Sequence, residues 1–306
     1  MLLEVEHLYI TAEMSRGTNE IVSDLSFSLD KGERLAVVGE SGCGKTMTAM
    51  AITGLLPRNC KRAGKILFDG TDLVSARERD LRALRGKDVV LVPQSGGEFL
   101  NPSLTVGTQL AECLKKAGFK GIKERRELAL ARLRDAGLDD AENAIGKYPF
   151  QLSGGQAQKV VLAAALCGNP RLVIADEPTK GIDEAGAMKF IDGLNELFPS
   201  AAVLVITHNV SVAKKCSRVL VMYKGELMEY GDTDKVLSAP SHPYTRSLTE
   251  ALPENGFRPC PVLREGGTGC AFYRRCPLAT EECAAAKPSP EECDGVTRRC
   301  FNADGR

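Results

Sequence analysis

The stretch from residue 39 to residue 46 has the residue types and the spacing of a loop that binds phosphate groups. It reads Gly39-Glu40-Ser41-Gly42-Cys43-Gly44-Lys45-Thr46 and fits the pattern G-x-x-x-x-G-K-[ST]. The backbone N–H groups of such a loop surround phosphate oxygens, its lysine neutralises charge at the β and γ phosphates, and its last hydroxyl ligates Mg²⁺. A glycine-rich turn with a chance Lys-Thr is the alternative. We expect a nucleotide here, with Lys45 on the phosphates and Thr46 on the metal.

A pair of carboxylates, Asp176 and Glu177, follows the apolar run at 172–175. A carboxylate at a strand end can hold the Mg²⁺ shell, and the next one can polarise an attacking water. Taken alone, an ordinary acidic strand end is the better explanation. It does not explain why the pair occurs together with a phosphate loop, so the two motifs together predict nucleotide hydrolysis.

The pentapeptide Leu152-Ser153-Gly154-Gly155-Gln156 has the composition of a second phosphate contact. Two adjacent glycines let the backbone approach a phosphate closely because no Cβ intervenes, and the Ser153 hydroxyl adds a donor. If a helix starts just after the pentapeptide, near Ala157, its free N–H groups and positive dipole end point at an anion. A plain Ser-Gly-Gly turn before a helix is the alternative.

Three further polar residues stand at predicted strand ends or turns. Gln94 follows the run 89–93, Asp183 lies shortly after the acidic pair, and His208 follows the run 203–207. Each of them alone is explained as a loop residue. Their order is informative: phosphate loop, Gln, Ser-Gly-Gly-Gln, Asp-Glu, Asp, His.

Apolar runs and helical spacings place these motifs on alternating strands and helices. Residues 1–38 alternate like strands, and 35–38 reads as a buried parallel strand that ends at Gly39. We predict further strands at 64–70, 88–93, 172–175 and 203–206, a hairpin over 219–230 that turns at Lys224-Gly225, and helices over 45–56, 106–117 and 122–136. The stretch 98–157 reads as a helical insert. From Pro253 onward Gly, Pro and Cys dominate, and that tail needs a staple to become ordered.

The composition excludes several classes of protein. The chain has 306 residues with 40 Lys and Arg against 40 Asp and Glu, so no broad basic face for nucleic acid or anionic lipid is implied. The N-terminus lacks the features of a signal peptide, and no apolar run is long enough to span a bilayer. We expect a cytosolic chain or one bound peripherally to a membrane.

Cysteines are concentrated toward the end of the chain. Six of the eleven follow residue 259, namely Cys260, Cys270, Cys276, Cys283, Cys293 and Cys300. In a reducing cytosol, clustered cysteines indicate metal binding or catalysis more than disulfides. The spacings within the set from Cys270 to Cys300 are wider than the C-x₂₋₄-C of zinc ribbons.

Over about residues 1–235, this series of motifs resembles the nucleotide-binding subunits of ABC transporters. The resemblance implies an α/β fold with a P-loop NTPase (RecA-like) core, an antiparallel β subdomain, a helical insert and a Cys-rich C-terminal extension. It implies a nucleotide-binding domain over 1–240 and an extension over 241–306. It also implies an ATP sandwich of two subunits, in which the signature 153–156 of one subunit serves the ATP on the phosphate loop of the other.

Individual roles follow from the same resemblance. Gln94 would sense Mg²⁺ and link it to the helical insert, and Asp176 would hold Mg²⁺. Glu177 would be the general base, Asp183 the contact across the dimer, and His208 the sensor of the γ-phosphate.

The chain departs from the family pattern at four places. Ala12 stands where an aromatic residue usually stacks on adenine, and Tyr9 is out of register. Ser95-Gly96-Gly97 replaces the usual Asp-Pro after the glutamine, Ala157 replaces the usual Arg after the signature, and Gly181-Ile182-Asp183 is a mild variant. None of these changes removes a catalytic group, so we predict an active ATPase.

Two features resemble the ATPases of oligopeptide, dipeptide and nickel importers. The first is His242-Pro243-Tyr244-Thr245-Arg246-Ser247-Leu248, with similar segments at 148–151 and 101–102. The second is the cysteine-rich extension, which in some of those ATPases holds an iron–sulfur cluster on four cysteines. The resemblance implies a [4Fe–4S] cluster on Cys270, Cys276, Cys283 and Cys300, because a loop-rich tail gains order when four thiolates share one inorganic core. Zinc and unligated thiols are the alternatives, Cys260 and Cys293 are extra, and Cys293 could replace Cys300.

The resulting hypothesis is the ATP-hydrolysing motor subunit of a solute importer on the cytoplasmic face of the membrane. Its partners would be a second ATPase subunit (a paralogue in a heterodimer), two transmembrane permease subunits and an extracellular or periplasmic solute-binding protein, without nucleic acid. Peptides and nickel-type metals or chelates both remain open as the solute. A soluble ABC ATPase acting on the ribosome or DNA, and a regulatory subunit with a dead site, are the alternative functions.

Overall fold

A computed structural model describes residues 1–15, 17–94, 96–179, 183–251 and 264–302. The chain forms two compact units: residues 1–75 together with 206–306, and residues 76–205. The predicted division into 1–240 and 241–306 stays a prediction, and the described residues after 240 belong to the first unit. None of the helices in the described part of the chain has the length and hydropathy needed to cross a bilayer.

The first unit contains an antiparallel sheet of four strands in the order β2-β1-β4-β5. These strands are β1 (Leu3–Met14), β2 (Gly17–Leu29), β4 (Cys60–Phe68) and β5 (Thr71–Asp72). Buried and more exposed residues alternate along β1 and β2, as expected when one face of a sheet packs on a core. The predicted strand at 64–70 belongs to β4, which starts earlier because it pairs with the whole length of β1.

The first unit also carries the strand that precedes the phosphate loop. In it, β3 (Arg34–Gly39) pairs in parallel with β9 (Arg218–Tyr223), which forms a hairpin with β10 (Glu226–Asp232). The predicted turn at Lys224-Gly225 is confirmed, and both residues have positive φ. Two short strands from the end of the chain, β11 (Glu291–Cys293) and β12 (Val296–Arg298), extend the pairing beyond β10.

Helices of the first unit follow its strands closely. They are α1 (Lys45–Thr53), α9 (Val210–Ala213), α10 (Thr233–Ser238), α11 (Pro243–Glu250) and α12 (Glu281–Ala285), with a 3₁₀ turn at Tyr273–Arg275. The helix predicted over 45–56 ends earlier, at Thr53, because Gly54 adopts a left-handed conformation with φ 65 and caps it.

The second unit combines parallel strands with most of the helices. Its strands are β6 (Val89–Val92), β7 (Leu172–Asp176) and β8 (Ala202–Thr207), with β6 and β7 parallel and Val89 opposite Leu172. Its helices are α2 (Glu78–Leu84), α3 (Gly96–Phe99), α4 (Val106–Ala117), α5 (Ile122–Asp135), α6 (Ala141–Ala144), α7 (Gly154–Leu166) and α8 (Glu184–Leu197). The two segments predicted to be helical at 106–117 and 122–136 are helices.

The cysteine-rich tail contacts the rest of the first unit through two buried side chains and one more exposed ion pair. Arg299 is only 3% exposed and donates to the Asp24 carboxylate at 2.8 Å. Lys287 forms an ion pair with Glu226 at 3.0 Å. Phe272 is fully buried against Tyr223. These contacts supply the order that the tail could not obtain from its own composition.

Candidate functional site

The phosphate loop leaves β3 through a glycine that no other residue could replace. Gly39 has φ 156, and a Cβ there would overlap the carbonyl oxygen of Met222 on β9. Only glycine allows the backbone to turn this close to the neighbouring strand. The sequence pattern at 39–46 therefore corresponds to a loop that the sheet itself forces into a tight turn before α1.

Lys45 lies at the centre of this loop. It is 6% exposed, and its Nζ donates to the carbonyl oxygens of Gly39 at 2.7 Å and Glu40 at 3.0 Å. The carbonyl of Cys43 accepts from the N–H of Gly225 at 3.0 Å, which fixes the loop to the β9–β10 hairpin. A buried ammonium held by its own loop is a preformed partner for an anion.

The thiol of Cys43 is buried inside the loop, 3.8 Å from the Nζ of Lys45. Burial raises the pKa of this thiol, and the nearby ammonium opposes that effect only in part. Thiolate is the reactive form, so Cys43 behaves as a small apolar filler at neutral pH.

Two further predicted site residues of the first unit, Thr46 and His208, are exposed. His208 sits in a turn whose two neighbours are fixed. Thr207 Oγ1 accepts from the N–H of Asn209 at 3.0 Å, and the Asn209 side chain caps α9. These bonds fix the backbone on both sides of His208.

In the second unit, Asp176 and Glu177 stand at the C-terminal end of β7, as predicted. Asp176 is 8% exposed. Glu177 has φ 47, a conformation that is uncommon for a residue with a side chain. Such strain is typical of residues whose position serves function.

The signature forms the N-terminus of α7. Ser153 Oγ accepts from the N–H of Gln156 at 3.2 Å, while Gln156 Oε1 accepts from the N–H of Ser153 at 3.0 Å. This reciprocal capping box starts the helix at Gly154, so the predicted start near Ala157 is wrong by three residues. The dipole end of the helix therefore lies within the signature itself.

Gly154 and Gly155 have no neighbours that would exclude a side chain. A Cβ at either position would meet nothing within 4 Å, and neither residue has positive φ. In the part of the chain that the structure describes, neither packing nor backbone conformation demands glycine at these two positions. Their small size leaves the helix N-terminus uncovered by side chains of their own.

Gln94 is exposed directly after β6, and the segment that follows it is packed on the signature helix. The N–H of Gly96 donates to Gln158 Oε1 at 3.1 Å, and a Cβ on Gly96 would lie 2.8 Å from the Cα of Gln158. Sequence reasoning missed Gln158. The close contact explains why position 96 needs glycine, within the segment that replaces the usual Asp-Pro of the family; Ser95 lies outside the described residues.

Asp183 caps α8 by accepting from the N–H of Gly186 at 2.9 Å. Its predicted neighbours Gly181 and Ile182 lie outside the described residues. Ala12 is buried in β1 opposite Cys60, whereas Tyr9 is 36% exposed.

The four thiols of the predicted cluster influence one another. Burial is the main reason that the pKa values of Cys276 and Cys300 rise to about 11, and the neighbouring thiols, including Cys270 and Cys283, raise them further. Asn302 donates to two of the sulfurs, those of Cys300 at 3.3 Å and Cys283 at 3.5 Å. Even so, no three His, Cys, Asp or Glu side chains in the described ranges have the arrangement of a metal site. Cys293 is exposed, and Cys260 lies outside the described residues.

Comparison with known proteins identifies both parts of the chain. The ABC transporter family matches residues 22–180. The C-terminal region of oligopeptide/dipeptide transporters matches residues 228–283.

Relatives match over nearly the whole chain. The oligopeptide transport ATP-binding protein OppD of Escherichia coli (strain K12) is 38% identical, over 98% of this chain and 93% of the relative. The dipeptide transport ATP-binding protein DppD of Bacillus subtilis (strain 168) is 35% identical, over 100% of this chain and 96% of the relative.

A solved structure shares the fold. It is the dimeric post-hydrolysis state of the ATP-binding cassette MJ0796 with ADP and Pi, which is 27% identical and superposes with a TM-score of 0.68. The match covers 76% of this chain and 98% of MJ0796.

Proposed function

The chain belongs to the ABC transporter family, in the group with the oligopeptide/dipeptide transporter C-terminal region, and on this premise we propose that it is the ATP-hydrolysing subunit of a peptide importer. The observation that carries the proposal is the buried ammonium of Lys45 held by its own phosphate loop. The relatives described above are named as oligopeptide or dipeptide transport ATP-binding proteins. Peptide is therefore the proposed solute in place of the open choice between peptide and nickel. The alternative of a soluble ATPase acting on the ribosome or DNA has no support among these relatives.

We propose the following division of roles at the nucleotide. Lys45 and the loop N–H groups bind the phosphates, Glu177 takes a proton from the attacking water, and His208 contacts the γ-phosphate. Mg²⁺ suits oxygen ligands, and Thr46, Gln94 and Asp176 supply a hydroxyl, an amide and a carboxylate. A Mg²⁺ ion held by these residues would supply positive charge for the phosphates.

The signature is proposed to act on the ATP of a second ATPase subunit. The open surface above Gly154 and Gly155 supports this proposal, because none of the described residues fills it. A capped helix N-terminus with exposed N–H groups suits an anion. We propose Asp183 as a further contact to that subunit, which is a paralogue in a heterodimer.

The remaining partners follow from the proposed transport function. They are two transmembrane permease subunits and a solute-binding protein, and they place this chain peripherally on the cytoplasmic face of the membrane. The absence of net charge agrees with partners other than nucleic acid.

We also propose that Cys270, Cys276, Cys283 and Cys300 hold a [4Fe–4S] cluster with a structural role, with zinc as the second candidate. The donor set fits in kind, because thiolates are the ligands of such clusters and two of the four sulfurs accept bonds from Asn302. N–H donors to sulfur are common around such clusters. Iron and acid-labile sulfide in anaerobically purified protein should disappear in Cys283→Ser and persist in Cys60→Ser. Iron-free wild-type protein would remove this proposal.

The transport function is tested by purifying the chain with its associated proteins. We expect two multi-span membrane proteins and a second ATPase to co-purify, and ATP hydrolysis in proteoliposomes to rise when a peptide-loaded binding protein is added. Co-purification of ribosomes or DNA, or a complex without ATPase activity, would contradict the proposal.

A further inference from the structure

Two residues from the C-terminal part of the chain contact the phosphate loop at Glu40. The N–H of Glu40 donates to the hydroxyl of Tyr244, on α11, at 3.2 Å. The carboxylate of Glu40 accepts from Nη1 of Arg275, in the 3₁₀ turn, at 2.7 Å. The carbonyl of the same residue accepts from Lys45 Nζ. Glu40 is thus bound at its N–H, its side chain and its carbonyl.

Both contacts come from a rigid aromatic platform formed by Tyr223, Tyr244 and Phe272. Ring centroids are 4.7 Å apart for Tyr223 and Tyr244, and 5.3 Å apart for Tyr244 and Phe272. Tyr244 and Phe272 are 2% and 1% exposed. The guanidinium of Arg275 lies 5.8 Å from the ring centres of Tyr223 and Phe272, within the range of a cation–π contact. Packing therefore sets the direction in which Tyr244 and Arg275 reach the loop.

The charge on Glu40 needs a partner if the loop is to bind a polyphosphate. A carboxylate at the second position of the loop repels phosphate oxygens, and an arginine beside it cancels that repulsion. The Arg275 and Glu40 side chains are 31% and 46% exposed, so the pair contributes little to the stability of the fold. The ion pair instead affects the binding of a ligand that places several negative charges next to Glu40.

We propose that Arg275 and Tyr244 are positioning residues for ATP. Through Glu40 they fix the first turn of the phosphate loop, and Arg275 neutralises the carboxylate at the second position of that loop. The cysteine-rich extension thereby controls the affinity of the loop for ATP. The inference rests on the proposed function, since it requires that the loop bind ATP.

The experiment measures MgATP affinity of the full chain with a fluorescent ATP analogue, and kcat and KM of the assembled transporter. Arg275→Ala should raise Kd and KM about fivefold to tenfold, with kcat changed less than about twofold. Arg275→Lys should recover part of this loss because it restores the charge. Tyr244→Phe removes only one hydroxyl from the platform and should raise Kd about threefold.

The matched control is Arg274→Ala. Arg274 is the preceding residue of the same 3₁₀ turn, and its Nε donates to the carbonyl of Gly266 rather than to the loop. Its loss should leave Kd unchanged.

A second variant separates charge from packing. Adding Glu40→Gln to Arg275→Ala removes the uncompensated carboxylate and should restore at least half of the lost affinity on a logarithmic scale. Unchanged Kd in Arg275→Ala, or no recovery in the double variant, would overturn the inference. Wild-type protein that binds no MgATP would instead overturn the proposed function.

Discussion

At the scale of single residues, Glu177 combines a predicted catalytic carboxylate with an uncommon backbone conformation. Glu177 has φ 47 directly after the buried Asp176 at the end of β7. A left-handed conformation costs free energy for a residue with a Cβ, so the surrounding structure has to hold it in place. The sequence predicted the pair of carboxylates but not this strain.

Replacing Glu177 by Gln should separate binding from hydrolysis. We expect turnover to fall by at least about 100-fold because the general base is lost, while MgATP affinity stays within about threefold. Phosphate release and nucleotide binding in the assembled complex measure the two effects. Glu196→Gln, an exposed position on α8, is the control. Unchanged turnover in Glu177→Gln would show that another group is the base.

Gly155→Ala should stabilise the fold and at the same time lower the ATPase activity. The site has open space and no positive φ, so the free energy of unfolding should rise by about 0.5 kcal/mol as unfolded-chain entropy falls. ATPase activity should fall at least about tenfold, because a methyl group blocks the approach of phosphate to the helix. Gly193→Ala, also helical with open space, should stabilise without loss of activity. Full activity in Gly155→Ala would refute a phosphate contact at the signature.

At the scale of elements, caps decide where helices begin. Ser153 and Gln156 start α7 inside the signature, and Asp183 starts α8. Residues that the sequence predicts as ligand contacts therefore also cap the N-termini of their own helices. The first N–H groups of a helix have no partner within the helix, so they need a capping group whether or not a ligand is bound. His242 plays the same part for α11, where its Nδ1 accepts from the N–H of Tyr244 at 2.9 Å.

The cap of α11 predicts a pH dependence of stability. Burial lowers the pKa of His242 to about 3, whereas the unfolded chain has the ordinary value of 6.5. Below the unfolded pKa, the unfolded state takes up a proton that the native state refuses, so stability is lost as pH falls. Between about pH 7 and about pH 5, wild-type protein should lose about 2 kcal/mol more than His242→Asn, which keeps a capping side chain without titrating. Urea unfolding across that range measures the difference, and parallel curves would contradict it.

At the scale of the whole molecule, the phosphate loop and His208 belong to the first compact unit, and the signature belongs to the second. If, as proposed, the signature of one subunit serves the ATP on the phosphate loop of another, a single chain lacks the signature that its own phosphate loop needs.

The isolated chain should therefore be a weak, concentration-dependent ATPase. Its activity per molecule should rise with protein concentration, and assembly with the second ATPase and the permease subunits should raise it at least about tenfold. Phosphate release over a dilution series measures this. Constant activity per molecule, with or without partners, would show that one chain is sufficient.

The sequence by itself determined the phosphate loop, the acidic strand end, the signature and the importer-type tail. Each of these features occupies a short stretch of sequence with characteristic residue types, so its pattern can be recognised without knowledge of the fold. The helices α1, α4 and α5 and the β9–β10 hairpin were predicted for the same reason, whereas α8 was not.

Only the tertiary structure decided what holds the loop. Glu40 and Arg275 are 235 residues apart in the chain, and their contact depends on a buried aromatic platform drawn from three segments. The open space at Gly154 and Gly155 and the close contact of Gly96 with Gln158 likewise depend on tertiary packing. A local sequence pattern cannot predict such contacts, because they depend on how distant segments of the chain pack together.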